Sequence, residues 1–262
     1  MRCWYREKTY KCGDYKEVYI YPVFAQDSKK GGRRKKAKPT SEAQKKLNKR
    51  ISENNLVRIL NANFTSKDMA FDLSYRDEEN PSTKEAAAKD LKNFLRRLKR
   101  FRKKEGLSEL KYIAVTERGE RKGRVHHHLV INGGVSINDL AELWGKGYTK
   151  AQPLQFNETG LIGKGRYMAK QSLFFRSFNA SKNLIHPQPT KRDGRLSQRK
   201  AMEMCQDIYN KELYERLYEG YAFAEAKSFY NEVNGGVYLA VRLYRKELSF
   251  GRKKHAKTRK RR

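Results

Sequence analysis

The clearest periodic pattern in the chain is a helical one that follows Pro81. Ser82 and Glu85 have the spacing of a capping box at its start. Apolar residues then recur three or four positions apart: Ala87, Leu91, Phe94, Leu95, Leu98 and Phe101. Lys and Arg residues occupy the other face. The pattern predicts an amphipathic helix whose apolar face packs on a core and whose basic face is either solvated or lines a DNA groove.

Shorter segments with β-branched and aromatic residues predict strands. Residues 69–75 alternate as a half-buried strand does, and residues 112–117 form a second strand. Val125–Ile131 is apolar on both sides of its histidines, which favours a central position in a sheet. Residues 17–21 predict a strand that Pro22 limits to an early or edge position.

The remaining segments complete an alternating order of helices and strands. Helices are predicted over residues 41–60, 136–144, 159–171 and 197–218, and strands within 147–156 and 236–241. Residues 178–195 are polar and contain two prolines, which is typical of a linker. We therefore predict an α+β fold with a central antiparallel sheet of four to five strands, flanked by helices, and a helical C-terminal extension.

Charge indicates the class of partner. Lys and Arg number 60 against 29 Asp and Glu, a formal net charge of +31, which favours a polyanion and above all nucleic acid. No long apolar span predicts a membrane segment. Two strongly basic stretches, residues 27–40 and 252–262, predict a solvated loop or phosphate-gripping arm and a disordered tail. Three cysteines and a charged N-terminus without an apolar core predict a cytoplasmic protein.

Candidate chemistry begins with three consecutive histidines. Side chains alternate along a strand, so His126 and His128 share one face and His127 points to the other. Two imidazoles on one face can bind a divalent ion, although core or surface histidines without a ligand role fit equally well. Glu117 ends the preceding strand and can complete a His-His-carboxylate set across a hairpin. By itself, a strand-end Glu is more often a plain surface charge.

A tyrosine and a lysine on the glycine-containing helix form the next candidate. Tyr167 and Lys170 are three residues apart and therefore share a helix face. A phenol is a weak nucleophile unless a cation stabilises its phenolate, and Lys170 or a metal ion can do so. Alone, such a pair is usually structural.

Taken in order, these motifs resemble the rolling-circle replication initiators of the HUH endonuclease superfamily. The first motif is Asp72-Leu73-Ser74-Tyr75, the second is Glu117 followed by His126-His127-His128, and the third is Tyr167-Met168-Ala169-Lys170. The resemblance covers about residues 65–175. The family normally has a bulky apolar residue where His127 stands, and an apolar residue or Thr at the positions of Asp72 and Ser74. Asp72 either approaches the metal or is tolerated at a sheet edge.

The resemblance implies an HUH/RRM-like palm and a reaction. Tyr167 attacks a phosphodiester of single-stranded origin DNA, forming a 5′-phosphotyrosine and a free 3′-hydroxyl, and the reverse reaction rejoins strands. Glu117, His126 and His128 hold Mg²⁺ or Mn²⁺, while Lys170 assists Tyr167. Because the chain contains no P-loop, a host helicase would unwind the DNA and a host polymerase would extend the 3′ end.

The predicted organisation has four parts: residues 1–64 with a strand, basic loop and helix; 65–175 as the endonuclease core; 176–250 as an extension; and 251–262 as the basic tail. Candidate DNA-binding residues are Arg96, Arg97, Arg124, Lys164 and Arg166. Two alternatives stay open. One is a non-catalytic nucleic-acid-binding protein, which explains the charge but leaves the motif order to chance. The other is a transposase or relaxase with the same chemistry.

Overall fold

The computed structural model describes residues 3–25, 42–119, 123–157, 159–170, 178–232 and 235–246. Within these ranges, ten strands form two antiparallel five-stranded sheets accompanied by six α-helices. The strands are β1 (Cys3–Cys12), β2 (Tyr15–Phe24), β3 (Met69–Ser74), β4 (Tyr112–Arg118), β5 (Val125–Ile131), β6 (Thr149–Pro153), β7 (Asn179–Ala180), β8 (Thr190–Asp193), β9 (Tyr221–Asn231) and β10 (Gly236–Arg245). The helices are α1 (Glu42–Asn63), α2 (Lys84–Lys104), α3 (Ile137–Trp144), α4 (Ile162–Lys170), α5 (Gln198–Gln206) and α6 (Lys211–Leu217).

The first sheet, here called the histidine sheet, has the strand order β6-β3-β5-β4-β7. Its middle strand is β5, as its apolar sequence predicts. Helices α2 and α3 cover one face through a core that includes Phe71, Phe94, Leu129 and Trp144. Helices α1 and α4 cover the other face, where Leu56, Leu60, Val130 and Met168 are buried together. The predicted α+β class, a sheet flanked by helices, is confirmed.

Two predicted helix starts can be compared with the structure. Helix α2 is capped by Thr83, whose hydroxyl accepts the Ala86 amide at 3.1 Å. The predicted capping box at Ser82 is therefore wrong by one residue, because α2 begins at Lys84 and the side chain of Thr83 reaches its free amide. At α3, Ser136 is the cap, as predicted.

The second sheet, here called the terminal sheet, joins both ends of the chain in the order β8-β1-β2-β10-β9. Helices α5 and α6 cover one of its faces. The extension is thus not mainly helical, since its long hairpin β9–β10 pairs with the N-terminal hairpin. Strand β2 lies in the middle rather than at an edge. It tolerates Pro22 because its pairing with β10 ends at Ile20, so that Pro22 has a paired strand on one side only.

Two further sequence predictions need correction. Residues 178–195 are not only a linker, because β7 and β8 within them add an edge strand to each sheet. The single helix predicted over residues 197–218 is two helices, α5 and α6. The basic stretches predicted as loop and tail, 27–40 and 252–262, lie outside the described residues. No helix in the described part of the chain is long and apolar enough to cross a membrane.

Helices α1 and α4 lie between the two sheets, and glycine allows their close contact. A Cβ added at Gly165 would come within 2.7 Å of Val57 Cγ2 on α1. Just before α4, Asn61 Oδ1 accepts the Leu161 amide at 3.1 Å. The glycines that weaken a helix prediction over residues 159–171 are therefore needed for packing, and this packing fixes the position of α4.

Candidate active site

Strand register brings four polar side chains to one face of the histidine sheet. Glu117 pairs with His126, and Asp72 pairs with His128. All four share the pleat face of Val130, which packs towards α1 and α4. Asp72 is on β3, an interior strand of the sheet, so the alternative that it is merely tolerated at a sheet edge is wrong.

His128 is the centre of this group. Its Nδ1 lies 2.7 Å from Asp72 Oδ1, and its Nε2 lies 2.7 Å from Glu117 Oε1. The His128 side chain is only 8% exposed. Burial by itself would lower the pKa of His128, but the hydrogen bonds to both carboxylates raise it above its ordinary value. The same contact with His128 outweighs burial at Asp72 and lowers the pKa of that carboxyl.

His126 has a different environment from His128, although both lie on the same face. It is half-buried, and its ring is adjacent to Gly119 at the β4–β5 turn, where an added Cβ would lie 3.6 Å from His126 Nε2. Burial lowers the pKa of His126, which favours the neutral imidazole that a metal ion requires.

His127 lies on the opposite face and is completely buried. Its Nε2 is 2.8 Å from the Tyr75 hydroxyl, and its Nδ1 is 2.8 Å from Thr116 Oγ1. Its ring also contacts the edge of Trp144, with centroids 5.7 Å apart. Burial lowers the pKa of His127 to about 3. Both nitrogens are engaged with neutral hydroxyls in the α2–α3 core, so His127 is a core residue and not a candidate ligand.

The predicted nucleophile faces the histidine cluster from α4. The Tyr167 ring centroid lies 5.4 Å from that of His128, in an edge arrangement, and Tyr167 is 46% exposed. Burial, followed by the negative charges of Glu117 and Asp72, raises the pKa of the phenol. Deprotonating Tyr167 therefore requires additional positive charge at this position. Lys170 ends α4, and its side chain lies outside the described part of the structure.

Lys164, predicted as a DNA-binding residue, is close to the tyrosine. Its Nζ lies 5.9 Å from the Tyr167 ring centroid, one helical turn earlier on α4. Burial lowers the pKa of Lys164, while the charge of Asp72 opposes that shift. This lysine is thus a second cation available beside the phenol, which the motif spacing alone did not indicate.

The other predicted DNA-binding residues are spread over the molecule. Arg166 lies 3.6 Å from Glu225 of β9, and Arg124 forms an ion pair with Asp77. Arg96 and Arg97 are on α2, which covers the face of the sheet opposite to the cluster. The Arg97 guanidinium donates to the carbonyls of Leu143 and Trp144 at 2.9 and 3.3 Å, which joins α2 to α3. The structure therefore does not bring Arg96 and Arg97 to the candidate site.

The donor set was tested against a divalent ion. Among the described residues, no group of three or more His, Cys, Asp or Glu side chains is arranged to hold a metal ion as it stands. The reason at His128 is that both ring nitrogens already contact carboxylates. Nevertheless, the 2.7 Å between His128 Nε2 and Glu117 Oε1 is close to the roughly 3 Å between adjacent ligands of an octahedral ion. The donor types also suit such an ion, so the residues fit a metal that replaces this hydrogen bond.

One relation at the site was available from the sequence but was not fully used. Asp72 and His128 both have the parity of the metal-binding face, but no local spacing shows that β3 pairs with β5 in this register. The carboxylate contact to His128 Nδ1 therefore appears only in the folded chain.

An α+β fold with a histidine–carboxylate cluster facing a helical tyrosine is thus combined in one segment, β3 to α4. Residues 68–172 match a family model described as a replication-associated protein of the ORF2 type. The matched segment contains Asp72, Glu117, the three histidines and Tyr167, and it supports a replication-initiation role for this protein. No curated protein and no solved structure matched the chain.

Proposed function

We propose that this protein is a replication-initiator endonuclease of the HUH type that nicks single-stranded origin DNA. The observation that carries the proposal is the position of Tyr167, whose half-exposed ring lies 5.4 Å from that of His128, beside the carboxylates of Glu117 and Asp72. A nucleophile that DNA can reach and a set of metal-ligating groups therefore converge from a helix and two strands. The family match to the same segment supports DNA replication as the process.

In the proposed reaction, the Tyr167 hydroxyl oxygen attacks the phosphorus of a phosphodiester. A bond forms between that oxygen and phosphorus, and the bond from phosphorus to the 3′ oxygen breaks. The phenol gives up its proton, and the departing 3′ oxygen gains one. The products are a 5′-phosphotyrosine and a free 3′-hydroxyl, and the reverse reaction rejoins the strands.

Glu117, His126 and His128 would hold the divalent ion, Mg²⁺ or Mn²⁺. When bound, such an ion polarises the scissile phosphate and offsets the developing negative charge. The raised pKa of Tyr167 makes nearby positive charge necessary, and Lys164 supplies some of it at 5.9 Å from the ring. We assign Lys170 the role of a further cation at the phosphate.

Asp72 has a positioning role in this proposal. Its contact with His128 Nδ1 fixes the tautomer and orientation of the ring so that Nε2 faces the shared ligand position beside Glu117. Histidines that bind metals commonly donate their other nitrogen to a carboxylate in this way, which raises the basicity of the ligand. The first motif of the chain therefore contributes through the residue in which it departs from the family pattern.

The partners follow from the reaction. Single-stranded origin DNA is the proposed substrate, and the high positive charge of the chain favours its binding. Unwinding and extension are assigned to a host helicase and polymerase. These partners imply a cytoplasmic site of action, within a bacterial cell or host cytoplasm.

The proposal is tested with a single-stranded origin oligonucleotide labelled at its 3′ end. With Mn²⁺, the wild-type protein should become covalently labelled on a denaturing gel, because the 3′ fragment stays attached through its 5′ phosphate. Tyr167→Phe should abolish the adduct, whereas Tyr148→Phe, which changes a 70% exposed tyrosine, should retain it. Binding without any adduct would identify a non-catalytic nucleic-acid-binding protein, and an adduct that persists in Tyr167→Phe would exclude this nucleophile.

A further inference from the structure

The terminal sheet has a second face, opposite the one that α5 and α6 cover. Near one end of the strands, this face packs against α1 and α4 through a buried ionic row. Arg58 of α1 contacts Glu17 of β2 at 2.5 Å, and Arg242 of β10 lies between Glu17 and Glu225. The row ends at Arg166 of α4, which approaches Glu225 to 3.6 Å. This end of the face is therefore occupied by the protein itself.

Further along the strands, two rows of side chains continue beyond the ionic row. Strand register defines the first row across five strands as Lys191, Lys8, Tyr19, Ala240 and Lys227. The second row contains Asp193, Arg6 and Tyr21 on β8, β1 and β2, followed by Tyr238 and Phe229 on β10 and β9. One row thus has lysines at both ends, and the other has aromatic rings over three strands.

The aromatic row is accessible from solvent. Phe229 is 61% exposed, although a large apolar side chain on a strand is normally buried. Its ring lies 6.1 Å from that of Tyr238, at an angle of 49°. Tyr21 and Tyr238 are half-buried, so that one side of each ring is covered by the sheet. The row therefore offers flat apolar surfaces that the described fold does not cover.

The lysine row lacks internal compensation. Lys8 and Lys191 stand directly opposite each other on β1 and β8, an arrangement of like charges that destabilises an antiparallel pair. Neither they nor Lys227 lie within ion-pair distance of a carboxylate in the ranges that the structure describes. In the neighbouring row, Asp193 is paired with Arg6 at 2.6 Å. The net charge of the two rows is positive, and an anionic ligand would relieve the repulsion.

We propose that these two rows form a binding surface for single-stranded DNA, separate from the nicking site. The aromatic rings stack on bases, and the lysines contact the phosphates. This combination of stacking platforms and a basic track is how proteins bind single strands without reading their sequence. A duplex does not satisfy it, because stacked and paired bases do not present their faces.

The surface continues towards the proposed nucleophile. Glu225 and Phe229 are on the same face of β9, four residues and about 13 Å apart. Glu225 contacts Arg166, the residue before Tyr167. A strand bound along β9 would therefore lead to α4, and the terminal sheet would hold DNA that flanks the scissile phosphate. The binding surface itself does not depend on the nicking chemistry.

The surface is tested by fluorescence anisotropy with the full chain and a labelled oligothymidylate of about 20 nucleotides, longer than typical single-strand sites. EDTA is present to prevent cleavage. Phe229→Ala should weaken binding about tenfold, with an unchanged salt dependence, because stacking releases no counterions. Replacing Lys8, Lys191 and Lys227 with Gln should weaken binding and lower the slope of log affinity against log salt by about 2.

Two matched control variants use the opposite face. Tyr230→Ala changes the neighbouring residue of β9, an aromatic that is 47% exposed on the other side of the sheet. Lys211→Gln changes an exposed lysine of α6. Both should bind like the wild-type protein, and thermal melts verify that all the variants are folded.

Equal affinities of Phe229→Ala and Tyr230→Ala would overturn the proposal. Competition by a duplex of the same length as effectively as by the single strand would also overturn it. Adduct formation is measured separately, at saturating protein, where Phe229→Ala should still form the adduct. If the wild-type protein forms no adduct but Phe229→Ala weakens binding, the nuclease proposal fails and the binding surface stands.

Discussion

Three consecutive histidines on β5 have two different environments, because side chains alternate across a strand. His126 and His128 face the carboxylates and Tyr167, whereas His127 is buried among aromatic rings with both nitrogens engaged. The sequence predicts this division from parity alone. It does not predict that Asp72 contacts His128, because that contact depends on the register between β3 and β5.

At the residue scale, Asp72→Asn is expected to weaken Mn²⁺ binding about 10- to 100-fold, because the carboxylate no longer orients His128 and raises its basicity. Electron paramagnetic resonance titration of free Mn²⁺ measures this effect. Asp77→Asn is the matched control, since Asp77 is exposed and pairs with Arg124 rather than with a histidine. Equal Mn²⁺ affinity of Asp72→Asn and wild type would show that Asp72 does not position the ligand.

His127→Leu should leave Mn²⁺ binding unchanged but destabilise the protein by about 1–3 kcal/mol, because the buried Thr116 and Tyr75 hydroxyls lose a partner. Urea denaturation measures the free energy of unfolding. Adding Thr116→Val removes one of the unsatisfied hydroxyls and should recover part of the loss. If His127→Leu abolished Mn²⁺ binding in a folded protein, His127 would have to be counted as a ligand.

At the element scale, α4 is an unusual helix because glycine at one of its positions is required by a neighbour. Gly165 faces α1, where a Cβ would meet Val57, while a Cβ at Gly163 would meet nothing within 4 Å. From the sequence, both glycines only lower the helix propensity. The structure separates them, because only one of them lies at a helix contact.

Gly165→Ala should therefore destabilise the protein by about 1–3 kcal/mol through overpacking. It should also slow adduct formation, because a shift of α4 moves Tyr167 away from His128. Gly163→Ala should stabilise the protein by up to about 1 kcal/mol, since alanine is the better helix former. Urea denaturation and adduct rates measure both effects. A double variant with Val57→Ala should regain part of the stability lost in Gly165→Ala, and the same gain from both glycine replacements would contradict the contact.

At the scale of the whole molecule, α1 connects the two sheets. Leu56, Ile59 and Leu60 are completely buried against the histidine sheet, while Arg58 forms the ion pair with Glu17 of the terminal sheet. The division between residues 1–64 and 65–175 remains a prediction about domains. The packing indicates that the core from 65 to 175 depends on the helix that precedes it.

A fragment of residues 65–175 is thus expected to lack cooperative unfolding. Losing three buried aliphatic side chains costs about 2–5 kcal/mol each, which is comparable with the whole stability of a domain. A fragment of residues 42–175, which keeps α1, should be more stable. Near-UV circular dichroism and binding of a hydrophobic dye compare the two fragments. A well-folded 65–175 fragment would show that the core is independent of α1.

Much of the histidine sheet could be predicted because its signals are local. The apolar period of α2, the alternation of β3 and the apolar run of β5 each depend on neighbouring residues. The terminal sheet could be predicted only in pieces. Strand β9 escaped prediction because it is an edge strand whose residues are mostly exposed or half-buried, so its sequence has no strong alternation. The mixed roles of residues 178–195 escaped because β7 and β8 are short strands that depend on their partners.

The sequence alone determined the strand and helix order of the histidine sheet, the parity of its histidines and the motif order that indicates DNA nicking. All of these depend on residues close together in the chain. Only the tertiary structure decided that the two ends of the chain form one sheet, that Asp72 and Lys164 join the site and that α4 fits between two sheets. These depend on register and on close contacts between distant segments, which local periodicity does not encode.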